Sequence, residues 1–218
     1  MPSADRYSRQ AALVPRERLE AMEAAVVGVG AVGRQAALQL AAMGAPSLRL
    51  VDFDTVEESN VASQGYWESD IGRPKVEATA SACRLANPEM DVAEVNGRFR
   101  RSMEIGQAVF CCVDSIAVRR LVWESVKHRA AFFCDARMSA EALRVLAVAG
   151  DAGRSHYPTT LFRAEEAHRG ACAARSAIYA ASIAAGLMLA QFARWLRGLP
   201  TDADLQFNIL TSELDCAE

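Results

Sequence analysis

Gly28-Val-Gly30-Ala-Val-Gly33 has the spacing G-x-G-x-x-G. Glycines at a strand-to-helix turn let backbone approach an anion closely, and the helix start adds free N–H groups and the positive end of its dipole. Asp52 lies 19 residues beyond Gly33, where a carboxylate accepts hydrogen bonds from a ribose. Asp54, Asn60 and Lys75 follow. An amide bonds a phosphate or a hydroxyl, and a lysine neutralises phosphate as a point charge. Asp114 ends an apolar run. It reads either as an N-cap for the helix after it or, at the end of a strand where α/β sheets place ligands, as a metal or phosphate contact. A nicotinamide cofactor needs one acid here, so Asn60, Lys75 and Asp114 exceed what an oxidoreductase requires.

These residues must be held by strands and helices in alternation. Ala24 to Gly30 is a short apolar run closing on glycine, as a buried parallel strand does. Ala31 to Met43 has helical spacing with Gly44 as its cap. Leu48 to Val51 is the second strand. The pattern predicts helices over Arg16–Glu23, Lys75–Leu85 and Ile116–His128. Further strands are expected at Val92–Val95, Ala108–Val113, Ala131–Cys134, Leu143–Ala149 and Leu205–Leu210. Gly150 to Gly170 reads as a surface crossover loop. The fold expected is α/β, a doubly wound Rossmann-like sheet that is mostly parallel with antiparallel strands in the C-terminal part, formed by a single domain over residues 1–218.

Of the 218 residues 51% are hydrophobic and 23% charged, which excludes disorder as the main state. The net charge of -3 offers no basic surplus for nucleic acid or an anionic membrane surface. The uncharged stretch Ser176–Ala193 is nearly long enough to cross a bilayer. It is rich in Ala, Ser and Gly, so a buried core helix is expected and no membrane span. The first residues lack an apolar signal segment. Six cysteines with no C-x-x-C pair point to reduced thiols and a cytoplasmic protein. Cys111, Cys112 and Cys134 sit in apolar runs and Cys83 on a helix against the sheet, so Cys172 and Cys216 are the two thiols left for chemistry.

The chain resembles the ThiF/MoeB family of adenylyltransferases, relatives of ubiquitin-activating enzymes. The resemblance rests on Gly28–Gly33, the D-x-D-x-V-x-x-S-N run from Asp52 to Asn60, the G-x-P-K of Gly72–Lys75, Cys112-Val-Asp114-Ser, and the opening Arg6-Tyr-Ser-Arg9-Gln10. It implies that ATP and Mg²⁺ are bound and that the C-terminal glycine carboxylate of a ubiquitin-like protein is adenylated. Gly28, Gly30, Gly33, Asp52, Asp54, Asn60 and Lys75 would bind the nucleotide, with Asp52 on the ribose. Asp114 would bind Mg²⁺ or position the α-phosphate. In a homodimer Arg9 would reach the γ-phosphate of the partner's site. Cys172, between Arg169 and Arg175 and before the Ala-rich helix, stands where compact members place a transfer cysteine. A helix N-terminus and flanking cations lower a thiol pKa.

Two departures stand out. The family reads N-L-x-R-Q, whereas this chain has Asn60-Val-Ala-Ser63-Gln64 and lacks the phosphate-facing arginine. Its loss would remove several kcal/mol of transition-state stabilisation, unless Arg73 or Arg137 substitutes. The paired C-x-x-C motifs of many members are also missing, and His156 and His168 are expected to be loop residues, so no zinc is expected. Besides adenylation of a protein carboxylate, the sequence leaves open a scaffold without turnover and adenylation of a non-protein substrate. An NAD-dependent oxidoreductase is the remaining alternative.

Overall fold

The computed structural model describes residues 5–162 and 177–217. One mixed sheet of eight strands runs through the molecule. Its strands are β1 (Glu23–Val27), β2 (Ser47–Asp52), β3 (Asp91–Asn96), β4 (Ala108–Cys111), β5 (Phe132–Ser139), β6 (Ala142–Val148), β7 (Asp204–Asn208) and β8 (Glu213–Ala217). Their order is β3-β2-β1-β4-β5-β6-β7-β8. Strands β1 to β5 pair in parallel, and β6 to β8 are antiparallel additions. The expected doubly wound sheet with antiparallel C-terminal strands is therefore present.

The helices are α1 (Arg16–Glu20), α2 (Ala31–Met43), α3 (Glu58–Gln64), α4 (Lys75–Ala86), α5 (Ile116–Val126), α6 (Asp151–His156) and α7 (Ile178–Leu196). On one face α2 and α7 pack side by side, with small residues Ala36, Ala37, Ala180, Ala181 and Ala184 fully buried between them and the sheet. Phe110, Phe132, Phe192 and Trp195 interlock there, with ring centroids 5.2–5.8 Å apart. On the other face α5 brings Trp123 against Phe133 and Tyr157, at 5.2 and 4.9 Å. Each such aromatic pair adds about 1 kcal/mol beyond its buried area.

Because α7 has both its neighbours and the sheet to bury against, it is a core helix, and no described helix is long and apolar enough to cross a membrane. The loop expected from Gly150 on instead begins with α6 and continues as a 3-10 turn over Tyr157–Thr160. Tyr157 is buried there, because the aromatic pocket under α5 receives it. The C-terminal segment carrying Cys216 is the edge strand β8, and its side chain is exposed. Strand β5 runs on to Ser139, beyond the apolar stretch, because Asp135 and Arg137 pair with each other and Ala140 takes a φ of 54° to start the return along β6.

Candidate nucleotide site

Strand order reverses between β1 and β4, and the loops after their C-terminal ends line a cavity of about 650 Å³. Crevices at such switch points are where open α/β sheets bind ligands. Gly28 leaves β1 at a φ of +86°, and a Cβ there would stand 2.8 Å from the Cys112 carbonyl oxygen. A Cβ on Gly33 would lie 1.8 Å from the Gly28 oxygen, so this glycine lets α2 close onto the turn. Gly30 is different. Its φ is -77°, and a Cβ would meet nothing nearer than Gln64 Oε1 at 3.8 Å. Gly28 and Gly30 line the cavity, whereas Gly33 stands behind them as packing.

Asp52 fixes the turn. Its Oδ2 accepts from the Val29 N–H at 2.6 Å and its Oδ1 from the Asp54 N–H at 2.8 Å. Each oxygen keeps a second lone pair, and the residue lines the cavity. The Asp54 carbonyl accepts the Lys75 N–H at 2.9 Å, which stitches this loop to the start of α4. Lys75 Nζ, only 7% exposed, pairs with Asp54 Oδ2 at 3.1 Å and lines the same wall. Asn60 does not line it. Its Oδ1 accepts the Glu57 N–H in a capping box that starts α3, and the residue is buried. Ser63 turns its hydroxyl back to the Ser59 carbonyl at 2.6 Å.

Asp114 stands at the mouth between β4 and α5, exposed and without a hydrogen-bond or ion-pair partner among the described residues. Ser115, not Asp114, is the N-cap of α5, and no side chain caps that end. The neighbouring cations differ from those the sequence suggested. Arg73 is tied to Asp70 at 2.9 Å and to Ser81, and Arg137 to Asp135 and Thr160, and neither lines the cavity. Among the described residues the cations that line it are Lys75, Arg98 and Arg119. Arg98 lies 4.1 Å over the exposed ring of Phe53. An aromatic residue directly after Asp52 and an arginine directly after Gly97 were the available signals. For Arg119 the signal was its place five residues after Asp114, on the second turn of α5.

Arg9 sits in a 3-10 turn, Ser8–Gln10, that docks on the opposite end of α2: Gln10 Nε2 donates to the Met43 carbonyl at 2.6 Å. A 13-residue helix is about 20 Å long, which separates Arg9 from the Gly28–Gly33 turn of its own chain. Cys172, Arg169, Arg175 and His168 lie outside the described residues. Burial pushes the Cys83 thiol up to about 12 and raises those of Cys111, Cys112 and Cys134 as well, as expected for core cysteines. His156 Nε2 bonds Asp204 at 2.9 Å, and no three His, Cys, Asp or Glu side chains converge as a metal cluster among the described residues.

A model of the ThiF family matches residues 7–215. The chain belongs to the ThiF family. It is 35% identical over 125 residues to the molybdopterin-synthase adenylyltransferase of Salmonella typhimurium, covering 52% of this chain and 50% of that protein. It is 38% identical over 104 residues to the SAMP-activating enzyme E1 of Haloferax volcanii, covering 45% of this chain and 38% of the relative. The chain thus spans about half the length of the curated relatives it first matches. Among solved structures, E. coli MccB with ATP superposes with a TM-score of 0.77 at 15% identity, over 99% of this chain and 72% of that one. The PaaA structure superposes with a TM-score of 0.76 at 20% identity, over 97% and 68%. These two share the fold.

Proposed function

We propose that this ThiF-family chain is an ATP-dependent adenylyltransferase that activates the C-terminal carboxylate of a ubiquitin-like protein ending in glycine. The observation that carries the reading is the convergence, in one cavity at the switch point, of the glycine turn, Asp52, Lys75 and the Asp114 carboxylate, which has no partner among the described residues. In the reaction a carboxylate oxygen attacks the α-phosphorus, and the bond to the bridging oxygen breaks as pyrophosphate leaves with the electron pair. Two anions must approach each other, so positioning and positive charge do most of the work. The first N–H groups of α2 would hold the phosphates, and Gly30 would let them come close. Asp52, already oriented by two backbone N–H groups, accepts from the ribose. Lys75 offers its charge to the leaving phosphates.

ATP and Mg²⁺ fit these residues. A magnesium site takes one or two carboxylates and completes its shell with substrate phosphates and water, and Asp114 is a carboxylate with both oxygens free among the described residues. Bound Mg²⁺ would neutralise developing phosphate charge. The distance of Arg9 from its own turn supports a homodimer in which it serves the partner's site. The Cys172 thiolate is proposed to attack the acyl carbon of the adenylate, forming a thioester as the bond to the phosphate oxygen breaks and AMP leaves. The named activities of the curated relatives, an adenylyltransferase and an activating enzyme E1, point the same way.

Ser63, where the family has a cation, favours one second reading, a scaffold that binds nucleotide and partner without turnover. ATP–pyrophosphate exchange with candidate ubiquitin-like proteins separates the two. Exchange that depends on the terminal glycine and is lost in Asp114→Ala supports the enzyme. Nucleotide binding without exchange supports the scaffold, and tighter binding of NAD than of ATP refutes both.

A further inference from the structure

Beside the cavity lies an ionic network, centred on a fully buried carboxylate, that the reaction above does not use. Asp135, at the centre of β5, is 0% exposed. It pairs with Arg119 through one carboxylate oxygen. Its other oxygen accepts from Arg137 Nε at 3.0 Å and from the Tyr157 hydroxyl at 2.9 Å. Arg119 in turn donates to the carbonyl of Val113, the residue directly before Asp114, and to the carbonyl of Ala136 at 3.0 Å. Arg137 donates to the carbonyl and hydroxyl of Thr160, at 2.8 and 2.9 Å. Tyr157 is locked between Trp123 and Phe133.

We propose that Asp135 is a positioning residue for the nucleotide site: through Arg119 it fixes the Val113–Asp114 turn and so sets where the Asp114 carboxylate stands. The physical case has three parts. First, the Asp114 side chain has no hydrogen bond or ion pair to a described residue, so its place depends chiefly on the backbone that carries it. Second, the Val113 carbonyl has left the strand ladder, whose last β1–β4 bond is Cys112 N–H to the Val27 oxygen at 2.8 Å. Its acceptor is satisfied by Arg119 instead. Third, the Asp135 carboxylate balances the buried Arg119 charge, and breaking such a pair leaves an uncompensated charge. Two guanidinium groups share this one carboxylate, so the network also leaves a surplus positive charge under the wall that Arg119 lines. That charge comes from α5 and β5 rather than from α3, which carries Ser63, and does not depend on the missing family arginine.

The proposal rests on the nucleotide reading, and the test separates the two. Asp135→Asn and Tyr157→Phe are compared with wild type by calorimetry with ATP, with and without Mg²⁺, and by amide hydrogen exchange of the unliganded protein. Asp135→Asn is expected to weaken Mg²⁺-ATP binding by about 10- to 100-fold, as loss of a residue supporting a metal ligand does. ATP binding without Mg²⁺, which uses Asp52 and Lys75, should change far less. Exchange should rise over residues 112–118 in the unliganded variant. Tyr157→Phe removes one donor to Asp135 and should move both readouts in the same direction by less, with Tyr157→Phe deciding the matter if Asp135→Asn does not fold. A purely structural role would lower the melting temperature and leave the Mg²⁺ dependence and the local exchange unmoved, which would overturn the proposal. If wild type binds no Mg²⁺-ATP, the nucleotide reading fails. The exchange over 112–118 in the two variants then still decides whether Asp135 holds the turn.

Discussion

Gly30→Ala separates a phosphate cradle from a merely tight turn. At Gly33 the argument is steric: a methyl 1.8 Å from the Gly28 oxygen forces backbone apart by at least about 1.2 Å, since real Cβ contacts under 3.0 Å do not occur. Overpacking of that kind destabilises by about 1–3 kcal/mol or more, whatever the ligand. Gly30 has no such constraint. Its φ is negative, and the new methyl would stand 3.8 Å from its nearest neighbour. Gly30 is the N-cap of α2, where alanine is poorer than glycine, so replacing it should cost no more than about 1 kcal/mol. The methyl would, however, project at the wall of the cavity where phosphate must approach the α2 N–H groups. Losing one charge-assisted bond of about 1.5–3 kcal/mol corresponds to about 10- to 150-fold weaker binding. Thermal unfolding and ATP calorimetry on Gly30→Ala and Gly33→Ala give the answer. A stable Gly30→Ala protein that binds Mg²⁺-ATP like wild type would refute phosphate binding at this turn.

Three further outcomes are expected. Mixing inactive Arg9→Ala and Asp114→Ala proteins should restore about a quarter of wild-type exchange, because half of randomly paired dimers are hybrids with one intact site; no recovery excludes action across a dimer. Cys172→Ala should keep ATP–pyrophosphate exchange but lose any reductant-sensitive adduct with the partner on a non-reducing gel, whereas an adduct lost only in Cys216→Ala would move the role to the exposed thiol on β8. Burial alone would raise the Asp204 carboxyl, but hydrogen bonds from Arg144 and His156 outweigh it and hold its pKa below the usual value. A carboxyl lowered in the folded state stabilises above its unfolded pKa of about 3.9 and loses that contribution as pH falls through the folded value. Asp204→Asn should therefore lower the melting temperature at pH 6, and the gap to wild type should shrink in acid; a gap independent of pH refutes the assignment.

The strand–helix alternation was legible because buried parallel strands write apolar runs and helices write a 3.6-residue period. Ala24–Val27, Leu48–Val51 and Ala108–Cys111 needed nothing else, and the glycine turn and Asp52 follow from local backbone geometry and chain order. Elements stabilised by distant partners were not legible. Helix α6 and the 3-10 turn after it read as loop, since Tyr157 owes its place to Trp123 and Phe133. Strand β8 is mostly exposed and exists because β7 offers it an edge. The cations show the same division. Residue type and spacing made Arg73 and Arg137 plausible phosphate ligands, but Asp70 and Asp135 claim them. Arg98 and Arg119 reach the cavity instead, from elements far apart in the chain. Sequence alone determined which chemical groups this protein owns and the order in which the sheet presents them. Which carboxylate each buried arginine answers to was decided only by tertiary packing, because a charge excluded from water must find its partner in three dimensions.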